Sequence, residues 1–346
     1  MAWTEKDIPD LTGRTAVVTG ANGGLGFQTA LALAGAGAHV VVAARDSAKT
    51  TAAVARIAER YPAASLEVVP LDLGDLSVVK AAAEKVLAGH ERVDILVNNA
   101  GVMAMPQRET ADGFEMQLGI NHLGHWTLTA HLMPALLAAP AARVVTVTST
   151  ARHRARRLDP DDPHLRRNYG AWASYARSKM ANLHFGLGLQ QQFERAGVAA
   201  QSLLAHPGLS NTDLQARSVR EGGAGWIGAF FEVMTARSGM TPFEGARPQL
   251  RAAADPLARA GTCTPRATAP TAQPSAARSS AASTCRGRST TCGRSPSKRL
   301  VSGSSCDSRR ERTEKCPTGG SASLQRPVIS VSCGGRGGSR PGRRSG

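Results

Sequence analysis

Short, nearly continuous apolar runs alternate along the first 255 residues with longer stretches in which apolar residues recur at helical spacing. Residues 15–19, 39–43, 66–70, 93–97, 143–148 and 199–204 are strand-sized and rich in β-branched side chains. Residues 24–35, 48–60, 76–88, 113–138, 174–196 and 242–254 read as helices. Strands without polar alternation are covered on both faces, as βαβ units around a parallel sheet require. The expected fold class is α/β: a doubly wound, mainly parallel Rossmann-type sheet flanked by helices, in one domain over residues 1–255.

Composition changes that picture only at the C-terminal end. Every Phe, Trp, Tyr and Met lies before residue 244, whereas all six Cys lie after residue 262. Residues 261–346 hold 16 Lys/Arg against 3 Asp/Glu, so +13 of the formal +16 charge belongs to them and the α/β part is nearly balanced. Residues 256–346 are rich in Arg, Ser, Gly, Thr and Pro, contain no aromatic residue and hold one short β-branched patch at 328–331. Such a segment cannot bury enough surface to order itself. Its Arg/Gly stretch at 334–340 resembles segments that bind single-stranded nucleic acid, but stacking residues are missing, so nucleic-acid binding is not favoured and would involve the tail alone. The cysteines form no C-x-x-C pair, and neither a disulfide framework nor a zinc site is expected. The first residues lack an export signal and no apolar run reaches the roughly 18 residues of a membrane span, which makes the expected location cytoplasmic.

Candidate chemistry begins with Thr19-Gly20-Ala21-Asn22-Gly23-Gly24-Leu25-Gly26, directly after the first strand and opening the first helix. Glycines at 20, 24 and 26 permit a tight turn and let backbone N–H groups approach a pyrophosphate at the helix N-terminus. The second strand ends in Val42-Ala43-Ala44-Arg45. An acidic residue there would bind ribose hydroxyls; an arginine instead suits a 2′-phosphate, which favours NADP over NAD. Asp72, after the third strand, is placed to accept from an adenine amino group, and Asn98, after the fourth, to fix the neighbouring strand and loop.

Tyr175 and Lys179 stand four residues apart on one helix face. A phenol titrating near 10 is a poor proton donor or acceptor at neutral pH, and a nearby ammonium is expected to lower that value. Ser149, just after the fifth strand, is placed to hydrogen-bond a substrate carbonyl oxygen, and the side chain of Asn121 to order a water leading from Lys179 to solvent. His122 and His125 are three apart on a helix, but no carboxylate or Cys completes a set, so no metal is expected. The basic run at 152–157 reads as a solvated loop. Substrate selection is expected from residues 102–110, 151–173 and 209–220.

On these motifs, residues 11–255 resemble a classical short-chain dehydrogenase/reductase: TGANGGLG at 19–26, DLGD at 72–75, NNAG at 98–101, NHLGH at 121–125, Ser149, YARSK at 175–179 and HPG at 206–208. Residues 43–46, 149–154 and the insertion before Tyr175 are similar to the retinol-dehydrogenase and protochlorophyllide-reductase branch. The resemblance implies a catalytic tetrad of Asn121, Ser149, Tyr175 and Lys179. It implies a cofactor site of Gly20, Asn22, Gly24, Leu25, Gly26, Arg45, Asp72, Leu73, Asn98, Ala100 and Gly101. Tyr175, Lys179, Pro207, Gly208 and Thr212 would then border the nicotinamide end. The implied activity is NADP(H)-dependent hydride transfer on a small carbonyl/alcohol pair, and the implied assembly a homodimer. It also implies a seventh strand and a closing helix after residue 246, where the basic tail stands instead. Two expectations follow: a reading-frame shift between residues 255 and 265, and a sixth strand left unpaired at the sheet edge. Loss of that wall raises the further reading of a protein that binds nucleotide without turnover.

Overall fold

The computed structural model describes residues 3–45, 47–155, 160–208, 241–261 and 263–264, all within one compact unit, Met1–Ala277. Strands β1 (Thr15–Thr19), β2 (His39–Ala44), β3 (Leu66–Pro70), β4 (Ile95–Asn98), β5 (Arg143–Val147), β6 (Gln201–Ala205) and β7 (Cys263–Thr264) form one sheet in the order β3-β2-β1-β4-β5-β6-β7. All its pairs are parallel. Strand order reverses between β1 and β4, which opens a crevice at the carboxyl ends of the strands.

The apolar runs are continuous because each strand feeds two cores. Val17, Val41, Leu96 and Val144 turn to the face that carries α3 (Leu76–Gly89) and α5 (Gly124–Ala138). Ala16, Val18, Val40, Val42 and Val145 turn to the face that carries α1 (Gly24–Gly35) and α7 (Pro242–Ala254). Full burial of one valine contributes about 1.5–3 kcal/mol, so a polar residue at either phase would open one core. Caps set the helix ends. The Asp75 carboxylate accepts from the backbone of Ser77 and Val78 at the start of α3, at 2.9 and 3.3 Å. Thr241 and Glu244 form a capping box at the start of α7. Helix α2 (Ala48–Arg60) has Ser47 as its N-cap, and α6 (Ala171–Ala196) ends on Gly197 at φ +64°.

Two expectations about elements are corrected. Residues 113–138 are not one helix: a short α4 (Met116–Leu118) runs into a π turn (Gly119–Leu123) and only then into α5. The carboxylate of Glu115 starts this segment by accepting from the backbone of Gln117 and Leu118, at 2.9 and 2.7 Å. Nor is β6 left unpaired. Leu204 and Ala205 pair with Cys263 and Thr264, and the Gly261 amide donates to the Ser202 carbonyl at 3.0 Å, so the sheet continues past residue 255 through a two-residue edge strand. The expectation of disorder covers residues 256–346 and that of a shifted frame residues 255–265; of these, residue 262 and residues 265–346 lie outside the described residues. No helix among the described residues is long and apolar enough to cross a membrane.

Candidate active site

Thr19, the last residue of β1, is a buried hub. Its hydroxyl oxygen accepts from the amides of Asn99 and Ala100, at 2.9 and 3.0 Å, while the Asn99 side-chain amide donates to the Thr19 carbonyl at 2.8 Å. These bonds lock the end of β4 to the mouth of the glycine loop. Gly20 then turns the chain at φ +66°, where a side chain would also press on Ala100. The same Thr19 hydroxyl lies 2.9 Å from Nε2 of His125, whose Nδ1 lies 3.0 Å from the Asn121 carbonyl. A carbonyl only accepts, so His125 carries its proton on Nδ1 and accepts at Nε2. Burial pushes His125 down to about 3, which keeps it neutral.

At the tip of β2, Arg45 faces the crevice together with Lys49 from the first turn of α2. The Asn22 side-chain amide donates to the Thr50 hydroxyl at 3.2 Å, tying the loop to α2. Asp72 faces the same crevice, with one carboxylate oxygen accepting from Gly74 N at 2.9 Å.

Helix α6 carries Tyr175 and Lys179, both buried. Burial pushes the Tyr175 phenol up, and a hydrogen bond with Ser149 opposes that shift. The expected lowering by Lys179 is not found. Lys179 lies over the Tyr175 ring, 5.9 Å from its centroid, and donates to the Val147 carbonyl at 3.3 Å. Burial itself brings Lys179 down to about 8, which weakens it as a source of positive charge. The Ser149 hydroxyl also accepts from Ala151 N at 3.2 Å, so it caps the 3₁₀ turn Thr150–Arg154 while facing Tyr175. Thr148 fixes the helix by donating to the Lys179 carbonyl at 2.8 Å.

Asn121 sits in the π turn and is completely buried. Its side chain accepts from Val102 N at 2.8 Å and donates to Val102 O and Ser178 Oγ at 2.9 Å each. The side chain expected to order a water is a clamp on the loop after β4. Asn98 differs from expectation too. As the last residue of its strand it turns away from the crevice, and its amide donates to Thr129 on α5 at 3.0 Å. The neighbouring Asn99 takes the crevice side.

A single cleft of about 1070 Å³ joins these parts. From the residues expected at the cofactor site it takes Gly20, Asn22, Gly24, Leu25, Gly26, Arg45, Asp72, Leu73, Ala100, Gly101, Pro207 and Gly208, and from the tetrad Ser149, Tyr175 and Lys179. Thr212 lies outside the described residues. The model of the family described as short chain dehydrogenase matches residues 14–222. This chain belongs to the short-chain dehydrogenase family. Retinol dehydrogenase 13 of Homo sapiens is 42% identical over 205 residues, covering 59% of this chain and 61% of that protein. Polyprenol dehydrogenase of Mus musculus is 41% identical over 224 residues, covering 64% and 65%. This chain thus spans less than two thirds of the length of these curated relatives. The retinol-dehydrogenase side of the resemblance stands with them.

Two solved structures resemble this short-chain dehydrogenase. A crystal structure of an uncharacterised protein from Mycobacterium paratuberculosis matches at 40% identity and a TM-score of 0.60, covering 76% of this chain and 84% of that one. Another, described as an NAD(P)-dependent gluconate 5-dehydrogenase from Beutenbergia cavernae with NADP bound at low occupancy, matches at 30% identity and 0.56, covering 71% and 91%.

Several residues of this short-chain dehydrogenase site escaped sequence reasoning. Lys49 is four residues beyond Arg45, a spacing that a helix starting at 48 brings near the strand tip. His125 is four residues after Asn121, a spacing that lets its Nδ1 reach the Asn121 carbonyl. Its neighbour His122 is engaged at Nδ1 by Asn182 Oδ1, 3.3 Å away. Trp172, edge-on to Tyr175 with ring centroids 6.2 Å apart, and Met103 line the same cleft and fall within the segments 151–173 and 102–110 expected to select substrate.

Proposed function

We propose that this short-chain dehydrogenase is an NADP(H)-dependent oxidoreductase that interconverts a carbonyl and an alcohol, with Tyr175 as acid and base. The observation that carries this reading is the continuity of one cleft from the glycine loop, past Arg45, to the hydrogen-bonded Ser149 and Tyr175. A dinucleotide fits the residues present. Glycines 20, 23 and 24 leave backbone open to a pyrophosphate, Gly26 lets α1 pack against Gly20 and Asn99, the volume suits a large ligand, and Arg45 and Lys49 face the ribose end. When bound, the dinucleotide supplies the hydride acceptor or donor.

The chain's own groups handle the proton. Tyr175 Oη gives its proton to the carbonyl oxygen during reduction and takes it back during oxidation. The Ser149 hydroxyl donates a hydrogen bond to the same oxygen as charge develops there. Lys179, over the Tyr175 ring and in the lining of the same cleft, would hold the nicotinamide ribose. With Arg45 and Lys49 both facing the crevice at the tip of β2, and no carboxylate of that tip among the described lining residues, a 2′-phosphate is the better ligand. Val102, Met103, Ala151 and Trp172 give the substrate side an apolar wall, in a lining that also holds His153 and Arg154. Together with the names of the retinol and polyprenol dehydrogenase relatives, this supports an apolar alcohol and its carbonyl partner as substrate.

Fluorescence titration of the full-length chain tests the reading. NADPH is expected to bind saturably in the micromolar range, NADH much more weakly, and Arg45→Asp is expected to narrow or reverse that preference. Absence of NADPH binding would overturn the proposal. In a turnover assay, Tyr175→Phe should cost about 10²–10⁴ in kcat while leaving NADPH binding intact; unchanged turnover would remove Tyr175 from the chemistry.

A further inference from the structure

At the amino edge of the sheet, the end opposite the cleft, three side chains from distant parts of the sequence converge. His39 opens β2, Glu67 lies in β3 and His90 follows α3. Glu67 pairs with Val41, so His39, two residues earlier on β2, projects from the same sheet face as Glu67. Helix α3 covers that face and ends on His90.

The ligand atoms of these three residues all lie within 4.8 Å of one another. Glu67 Oε2 is 2.8 Å from His90 Nε2 and 3.7 Å from His39 Nε2. Ligands about 2.0–2.1 Å from a tetrahedral zinc stand about 3.3 Å apart, between those two values. The other ring nitrogen of His39 is already held, 2.7 Å from Ser65 Oγ, which fixes the ring as an outer partner fixes a metal-bound histidine. Its Nε2 is buried and has no hydrogen-bond partner among the described residues.

We propose that His39, Glu67 and His90 form a binding site for a divalent transition metal, with zinc as the best match. Two neutral imidazoles and one carboxylate carry a single negative charge and are borderline ligands, which suits zinc and its first-row neighbours. Calcium and magnesium need more oxygen atoms than this site offers. The side chains keep 26%, 29% and 16% of their exposure, enough for a water to fill the fourth position. On binding, the ion replaces the contact between His90 Nε2 and Glu67, and the neutral imidazole carries its proton on Nδ1. The ion then staples the edge strand β3 to β2 and to the end of α3. None of the three residues lines the cleft, so the proposal is independent of the activity assigned there.

The test is a Zn²⁺ titration of the full-length chain with its six cysteines alkylated, read by competition with a chromophoric chelator. One equivalent is expected to bind with micromolar or tighter affinity. His39→Gln, Glu67→Gln and His90→Gln should each weaken binding at least tenfold, and His184→Gln, at an exposed histidine on α6, should not. Saturating Zn²⁺ should raise the melting temperature of the unsubstituted chain and leave the three variants unmoved; their metal-free melting curves report whether they fold. Should any of them not fold, Co²⁺ in the alkylated unsubstituted chain supplies a second reading, with the intense visible bands of a four-coordinate site expected. No saturable binding, binding within twofold of the unsubstituted chain in any folded variant of the three, or the weak spectrum of six-coordinate cobalt would overturn the proposal.

Discussion

Lys179 shows how a single residue can serve a site at a cost to the fold. Burial brings it from 10.5 down to about 8, so at neutral pH folding takes an ammonium out of water. Between pH 8 and 10.5 the unfolded chain holds a proton that the folded chain has released. Unfolding then takes up a proton, and stability rises with pH across that window. Below pH 8 both states are protonated and the full burial cost applies, on the order of 3 kcal/mol. Lys179→Met should therefore stabilise the chain by up to that amount at pH 7 in urea unfolding, with the gain falling below about 1 kcal/mol by pH 10. An equal gain at both pH values would trace it to packing instead. The pairing of Tyr175 with Lys179 was legible from the helix period alone. That burial would outweigh the ammonium at Tyr175 was not, because desolvation depends on what the rest of the chain stacks over the ring.

Elements whose ends are marked by residues of their own sequence were the most legible. Residues 24–35, 48–60 and 242–254 form helices with the bounds that apolar spacing, glycine and proline had marked. The segment 113–138 failed because its break is imposed from outside. Asn121 must reach Val102 and Ser178, and the start of α5 must pass close to the loop after β3. Gly124 makes that passage possible: a Cβ there would stand 2.6 Å from the Leu73 carbonyl oxygen. Gly124→Ala is expected to destabilise the chain by about 1–3 kcal/mol in denaturant unfolding and to weaken NADPH binding through the displaced Leu73. A neutral outcome would show that the loop yields without cost. Isolated glycine in a helical pattern reads as a mild defect, and its use appears only when the neighbouring backbone is in place.

For the whole molecule, every described residue that lines the cleft lies at or before Gly208, whereas the edge of the sheet needs Cys263 and Thr264. A chain ending at Thr264 should bind NADPH within twofold of the full-length affinity. One ending at Ala258 should lose about 1–2 kcal/mol of stability, since it gives up the β6–β7 pairing and the bond from Gly261 to Ser202. If the chain ending at Thr264 fails to bind, residues beyond it support the cleft. By itself the sequence determined the α/β class, the six longer strands, the glycine loop, the arginine at the end of β2, and the Ser149, Tyr175 and Lys179 set. Each follows from short-range periodicity or from residue chemistry at fixed spacing. Only the tertiary structure decided that Asn121 clamps a loop, that Asn98 turns from the cleft while Asn99 faces it, that His125 joins Thr19 to Asn121, and that His39, Glu67 and His90 meet. Those outcomes depend on which strands lie side by side and in what register, and on how far the helices between them reach, which no local pattern encodes.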